Sequence, residues 1–399
     1  MSAAARFIDI HILQSVPFAN LNRDDTNSVK TVLYGNALRT RVSSQSWKRA
    51  ARADFEALIG QAALRTRRIG ERVSQDLAGR GWPPALAERA GAHLAAASGI
   101  KFELAKERDR AAGDKAAPVV VPNKVLTNAL VYVPEAAVAE LAALAEEHRA
   151  TLESAKDIKK PTDKSVLPGQ RVEAILRTRN GVINVFGRML AEIDDAGVDG
   201  AVQVAHALTT HETDVETDYF SAVDDITQLW GDATGSGHMG HAEFSAGTFY
   251  RFATIDLEDL AANIGGDVKA ARELVAAFVH AVIRSLPQAK KNSTAPHTIP
   301  DLVHLAVRAD RPLSFATAFE APVRAADRGG FAAPSRTALT EYARVANKLL
   351  GERHILGAGW ASIDTKDLEG LGSHFDSYDE LVDSALTTAF AAGADGVSA

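Results

Sequence analysis

FIDIHIL, residues 7–13, alternates with period two: Ile8, Ile10 and Ile12 fall on one face, and Phe7, Asp9, His11 and Leu13 on the other. That alternation predicts a β-strand with one wholly apolar face. Outward from it lies a polar loop with Asn20, Asn22, Arg23, Asp24, Asp25 and Asn27, and then SSQSWKRAARADFEALIG, residues 43–60, where the period becomes helical. Ser43 or Ser44 suits the N-cap and Gly60 the stop. Trp47, Ala51, Phe55 and Leu58 recur at core-facing spacing, while Gln45, Lys48, Arg49 and Arg52 form a basic stripe roughly opposite. A strand pattern returns at 182–190 (VINVFGRML) and at 244–255 (FSAGTFYRFATI), the latter with Phe244, Thr248, Tyr250 and Phe252 on one face. An amphipathic helix follows over 267–286 through Leu274, Phe278 and Val282, ended by Pro287, and then a strand over 301–308. The order strand, helix, strand, strand, helix, strand is the split βαβ order of a ferredoxin-like fold and predicts an α+β protein.

Two stretches interrupt that order. Residues 61–180 are rich in Ala, Arg, Glu and Lys, with helical patterns near 71–79, 84–97 and 134–155 and polar loops around 105–117 and 156–171. They read as a helical insertion. Residues 195–243 carry aromatic, histidine and glycine residues without a strand period. Helical patterns near 335–349 and 377–391 extend the core at the C-terminal side. No period of solenoid length is present.

Composition narrows the function classes. The 399 residues carry 44 Lys+Arg against 51 Asp+Glu, a net charge of −7, with 46% hydrophobic and 24% charged residues. That is ordinary globular composition, of a length for two or three units or for one core with large insertions. The absence of cysteine excludes disulfides, thiolate metal sites and a cysteine nucleophile, and fits a cytoplasmic protein. No apolar run approaches the ~18 residues of a membrane span, and MSAAARFIDIHIL lacks the pattern of a signal peptide. The acidic balance argues against coating nucleic acid by bulk charge. Locally the balance reverses. Arg23, Lys30, Arg39, Arg41, Lys48, Arg49 and Arg52 face only Asp24 and Asp25, a charge of +5 between residues 23 and 52.

Three groups of residues are candidates for chemistry. In the first, the helix start at 43–46, with its serine hydroxyls and N–H groups, and the cations of the same helix form a track suited to a phosphate backbone; the same stripe also fits an ordinary solvated helix face. In the second, His206, His211, His238 and His241 have spacings that bear comparison with metal ligands, but no HExxH accompanies them. Nearby Tyr219, Phe220 and Val223, flanked by Asp218, Asp224 and Asp225, read either as a small core or as a wedge against a nucleobase. In the third, Asp24 and Asp25 are a weak candidate pair for holding Mg²⁺ on RNA. The glycines of GDATGSGHMGH (231–241) lack the following helix that phosphate cradling requires and read as turn residues.

FIDIHIL (7–13), LNRDDTN (21–27), RVSSQSWKRAAR (41–52), GRM (187–189), VQVAHALTTHETDVETDYFSAVDD (202–225), HMGHAEFSAGTFYRFATIDL (238–257) and RPLSFATAFEAPV (311–323) together resemble the CasC-type backbone subunit, the Cas-seven family, of the type I-E CRISPR Cascade complex. The resemblance runs in order through most of the chain; 61–180 and the last fifty residues match loosely. It implies an RRM-like palm (1–60, 181–194 and 242–399), helical fingers (61–180) and an extended thumb (195–241). It also implies several copies oligomerising along one guide crRNA, kinking it at intervals and presenting it for pairing with target DNA in antiviral defence. The partners implied are the crRNA, the target DNA through it, other copies of the chain, and the large, small and two crRNA-end subunits of the complex, with no membrane and no cofactor.

Carried residue by residue, the resemblance gives Lys30, Arg41, Ser43, Gln45, Lys48, Arg49 and Arg52 as contacts to the guide backbone, with Asn22 and Arg23 beside them. Met189 and Phe220 become wedges at the kinked nucleotide, Tyr219 and Val223 shape the thumb tip, and Lys290 and Lys291 turn toward the target strand. It implies no catalytic residue and no metal, DNA cutting being left to a recruited helicase-nuclease. The alternative is a metal-dependent endoribonuclease using Asp24 or Asp25, as in backbone subunits of other CRISPR classes. One departure is Trp47 before the Lys48–Arg49 pair, where a smaller aliphatic residue is expected; the helical wheel turns it into the core.

Overall fold

The computed structural model describes residues 4–107, 119–223, 236–364 and 368–391. The chain divides into two compact units, one of Met1–Leu58 with Val202–Ala399 and one of Ile59–Ala201. The fold is mixed α/β with an open sheet. Along the chain the strands are β1 (Phe7–Ala19), β2 (Thr31–Tyr34), β3 (Ala37–Val42), β4 (Ala63–Thr66), β5 (Phe102–Glu107), β6 (Val119–Thr127), β7 (Val131–Pro134), β8 (Val202–Val204), β9 (Ala207–Thr209), β10 (Glu216–Val223), β11 (Ser236–Asp256), β12 (Leu302–Arg308), β13 (Ile355–Ser362) and β14 (Ser373–His374).

The sheet of the first unit runs β14-β13-β12-β1-β11-β9-β3-β2, and β8 and β10 also pair with β11. Its centre is β1, antiparallel to both β11 and β12. Both faces of β1 are covered. Ile10 and Ile12 meet Trp47 and Ala51 of α1 (Ser44–Ile59) and Val282 of the helix Val268–Arg284. Leu13, Tyr250, Leu302 and Trp360 on the other face pack with Phe315, Phe319, Leu339 and Ala343. Each such side chain removed from water contributes about 2 kcal/mol. Helix α1 ends where Gly60 takes φ +65°, a left-handed conformation that suits glycine.

The segment 182–190 is a correction. It is not a strand: Gly181–Phe186 is helical, its start capped by Asn180, which accepts the Ile183 N–H, and its end set by Gly187 at φ +78°. A buried apolar run such as VINVF carries no period that separates strand from helix. Residues 181–194 accordingly lie in the second unit instead of the sheet-bearing one. The place beside β11 is filled by β8 and β9 from 202–209, inside the stretch expected to be a projection without strands. The loop expected around 105–117 begins within β5, which pairs with β6. The β2–β3 hairpin turns on Gly35 and Asn36, both at positive φ, the geometry of a type I′ turn.

The second unit packs the helices Ile69–Gly79, Pro84–Ala96 and Ala136–Glu147 around a core that includes Val73, Leu77, Ala90, Leu94 and Leu141. Among the described residues no helix is long and apolar enough to cross a membrane.

One buried polar cluster sets a pH dependence. Asp9 and His11 point from β1 into the face covered by residues 311–323. Asp9 Oδ2 accepts the Leu313 N–H at 2.8 Å, and Tyr250 Oη accepts the Phe315 N–H at 2.8 Å while lying 2.9 Å from His11 Nδ1. Burial pushes the Asp9 carboxyl up to about 7, against the Leu313 amide and Arg308, which favour its charged form. The folded state therefore holds a proton that the unfolded chain has released, and this group costs stability as pH rises from about 4 to about 7. Asp9→Asn is expected to remove that decline: thermal melting of the variant gains on the wild type at pH 8 relative to pH 5.

Candidate nucleic-acid interface

The basic residues of the first unit are gathered by backbone pairing. The loop 22–30 lies along the β3–α1 junction: Lys30 N–H donates to the Asn22 carbonyl, Arg41 N–H to the Lys30 carbonyl at 2.8 Å, and Ser43 N–H to Asn22 Oδ1 at 2.9 Å. On the other side β3 pairs with β9, Val42 opposite Ala207, which brings in His206. Asn22, Lys30, Arg41, Ser43 and His206 therefore meet at the start of α1. From there Gln45 and Arg49 continue along the helix, both exposed.

Several side chains expected to bind a ligand have partners within the protein. Ser43 is buried and its Oγ accepts the Ser46 N–H at 3.3 Å, so it is the cap. The Ser44 N–H donates to His206 Nδ1 at 3.2 Å. Two amides of the helix start are thus taken by the protein, by His206 Nδ1 and Ser43 Oγ. Lys48 Nζ donates to the Val202 carbonyl at 3.4 Å, and Arg52 pairs with Glu56 at 3.8 Å. Arg23 Nη1 donates to Asn27 Oδ1. Arg39, one of the seven cations counted in the basic segment, is fully buried and donates to the carbonyls of Thr209, Phe319 and Glu320. It is a core clamp. Trp47 is buried as expected, beneath the Arg251 guanidinium at 3.9 Å.

Asp24 is occupied by its own turn. Its Oδ1 accepts from the Thr26 N–H, the Thr26 hydroxyl and the Ser28 N–H at 2.8–2.9 Å. Those bonds, the Thr26 hydroxyl first, hold its carboxyl below the usual range. Among the described residues no group of three or more histidine and acidic side chains is placed to hold a metal. His211 is engaged through both nitrogens, with Glu212 O and the Thr248 N–H, and stacks on Phe331 at 3.5 Å. The side chain of His238, like those of Val223, Asp224 and Asp225, lies outside the described residues.

The aromatic projection is a hairpin of β10 with the first half of β11. Tyr219 pairs with His241 and Phe220 with Gly240, so the two aromatics occupy opposite faces of the ribbon, not one cluster. Tyr219 is 78% exposed and Phe220 49%. Met239, 75% exposed, shares the Tyr219 face and was absent from the sequence candidates. The Phe220 ring lies over Gly240, where a Cβ would strike it. Gly240→Ala is expected to displace the ring without loss of melting temperature, since glycine within a strand is ~0.5–1 kcal/mol worse than alanine; loss of the ring-current shift at the residue-240 Hα checks it.

Met189 belongs to the second unit and is 91% exposed. Lys290 and Lys291 begin a short helical turn, with the Lys290 ammonium 4.9 Å above the Phe244 ring. Phe18, partly exposed and without a signal in the sequence pattern, stacks on the same ring at 4.5 Å.

The family described as CT1975-like protein matches residues 8–384. A chain of a solved structure titled "CRISPR RNA-guided surveillance complex, pre-nicking" is similar at 43% identity and a TM-score of 0.84, covering 96% of this chain and all of that one. A second, titled "CRISPR RNA-guided surveillance complex", has 38% identity and a TM-score of 0.74, covering 96% and 99%. No curated protein matches.

Proposed function

The chain belongs to the CT1975-like protein family, and from that membership we propose that it is the non-catalytic crRNA-binding backbone subunit of a type I-E CRISPR Cascade surveillance complex. The observation that carries the reading is the convergence of Asn22, Lys30, Arg41, Gln45 and Arg49 on one junction of an otherwise acidic chain. Contacts from such residues go to phosphates and carry no sequence information, so any guide is accepted and specificity passes to base pairing.

The strand order β12-β1-β11 with β8 and β9, flanked by α1 and Val268–Arg284, supports an RRM-like palm. The Ile59–Ala201 unit corresponds to the fingers and the β10–β11 hairpin to the thumb. Phe220 and Met189 act as apolar wedges at a kinked nucleotide, and Tyr219 and Val223 shape the thumb tip. Lys290 and Lys291 face the target strand. Copies of the chain line the crRNA, and the large, small and crRNA-end subunits complete the assembly. The nuclease alternative finds no support in Asp24, whose carboxylate is committed to a turn.

Ultraviolet crosslinking of the full chain to a repeat-spacer RNA, followed by peptide mapping, tests the assignment. Crosslinks concentrated in peptides spanning 22–52 and 216–241 are expected. Crosslinks spread evenly over the chain would overturn it.

A further inference from the structure

His206 sits between β8 and β9 and is held on both sides. The Ala205 N–H donates to the Phe252 carbonyl at 2.9 Å, and Ala207 is buried opposite Val42 in the sheet. Its ring therefore has a fixed root, although the ring itself is exposed. Nδ1 lies 3.2 Å from the Ser44 amide nitrogen and 3.1 Å from Arg41 Nη1. A backbone N–H and a guanidinium are donors only. Nδ1 must then present its lone pair to both, and the neutral ring carries its proton on Nε2.

We propose that His206 is a positioning residue for RNA binding: it holds the Arg41 guanidinium over the start of α1, in the orientation that meets a guide phosphate. This rests on the RNA-binding reading above. Arg41 brings five donors in a planar fork, and the bond to His206 uses one edge of it. A long side chain that must be ordered on binding loses affinity to the ordering; one already ordered does not. The sheet supplies the rigidity, because the backbone at 205–207 and at 41–42 is fixed by strand pairing. Histidine fits where lysine or arginine would not, since only an acceptor satisfies both donors at Nδ1.

The test is a double-mutant cycle read by fluorescence anisotropy with the full chain and a labelled single-stranded RNA of repeat-spacer sequence. Arg41→Ala and His206→Ala are each expected to weaken binding about tenfold, the size of one ordered, charge-assisted contact. The double variant should bind no more weakly than Arg41→Ala alone. His206→Asn, whose Oδ1 can take the place of Nδ1, should stay within about twofold of wild type. If His206→Ala costs as much in the Arg41→Ala background as in the wild type, the residue acts only as a support for the helix start and the proposal is wrong. It is equally wrong if Arg41→Ala weakens binding and His206→Ala does not. If neither Arg41→Ala nor Arg49→Ala changes binding, the RNA interface itself is misplaced, a failure distinct from that of the positioning role.

Discussion

Arg188→Met is expected to lower the stability of the Ile59–Ala201 unit by about 4 kcal/mol, through backbone carbonyls left without donors. Arg188 is buried, and its guanidinium donates to four carbonyls within 3.0 Å: Nε to Ala196, Nη1 to Leu176 and Thr178, and Nη2 to Arg177. One side chain thus ties together the segment from 176 to 196, which also carries Met189. Among the described residues no carboxylate pairs with the charge. Burial pulls its pKa down to about 10, with Arg179 adding to the shift, which still leaves it charged at neutral pH. Carbonyl dipoles compensate it instead. Lysine offers three donors on a point charge and cannot reproduce the fork, so Arg188→Lys should also destabilise. Hydrogen exchange on the full chain, followed in peptides from 59–201, would show faster exchange there; an unchanged pattern would mean the bonds contribute little.

Arg41→Ala combined with Arg49→Ala is expected to weaken RNA binding about 100-fold, at roughly 1.4 kcal/mol per lost charge-assisted contact. The slope of log affinity against log salt should fall by about 1.4, since each phosphate contact on a single strand contributes roughly 0.7. Both side chains lie on the accessible side of the α1 junction, Arg49 exposed and Arg41 partly so. Lys48→Ala with Arg52→Ala should cost less, although the basic segment 23–52 read as sequence alone does not rank the four cations. Lys48 already donates to Val202 O and Arg52 is paired with Glu56. Titrations at several salt concentrations distinguish the cases: equal slopes for both double variants would mean that those local partners do not hold the cations back from RNA.

What was legible in the sequence was what repeats with a period. α1 with its buried Trp47 and Phe55 and the helix Val268–Arg284 each bury one regular stripe that is visible in the residues, and β1 is legible from the alternation of Ile8, Ile10 and Ile12 although both its faces are covered. The helix at Gly181–Phe186 was not, because a short run buried on most sides has no polar phase to read. The three-residue strands β8 and β9 escaped for a different reason: they are too short for alternation, and only pairing with the 21-residue β11 makes them strands.

The candidate site divides in the same way. The basic stripe of α1 was visible because charge and helical period coincide. Which cations face solvent was not, because Arg39 is buried by contacts from residues 209 and 319–320, far along the chain. His206 was visible only as one of four spaced histidines; its partners Arg41 and Ser44 lie more than 160 residues away and are joined to it by the β3–β9 pairing. Gly240 and Phe220 likewise acquire a shared role only in register. The family motif GRM marked Arg188 and Met189 without showing that the first is a buried clamp and the second an exposed tip.

The central claim, that the chain is a non-catalytic scaffold which lines a guide RNA, is tested most directly by native mass spectrometry of the full chain with a guide-length RNA and Mg²⁺. The account predicts several copies on one intact RNA. A single copy on the RNA, or RNA cleaved by the wild type and protected by Asp24→Ala or Asp25→Ala, would contradict it.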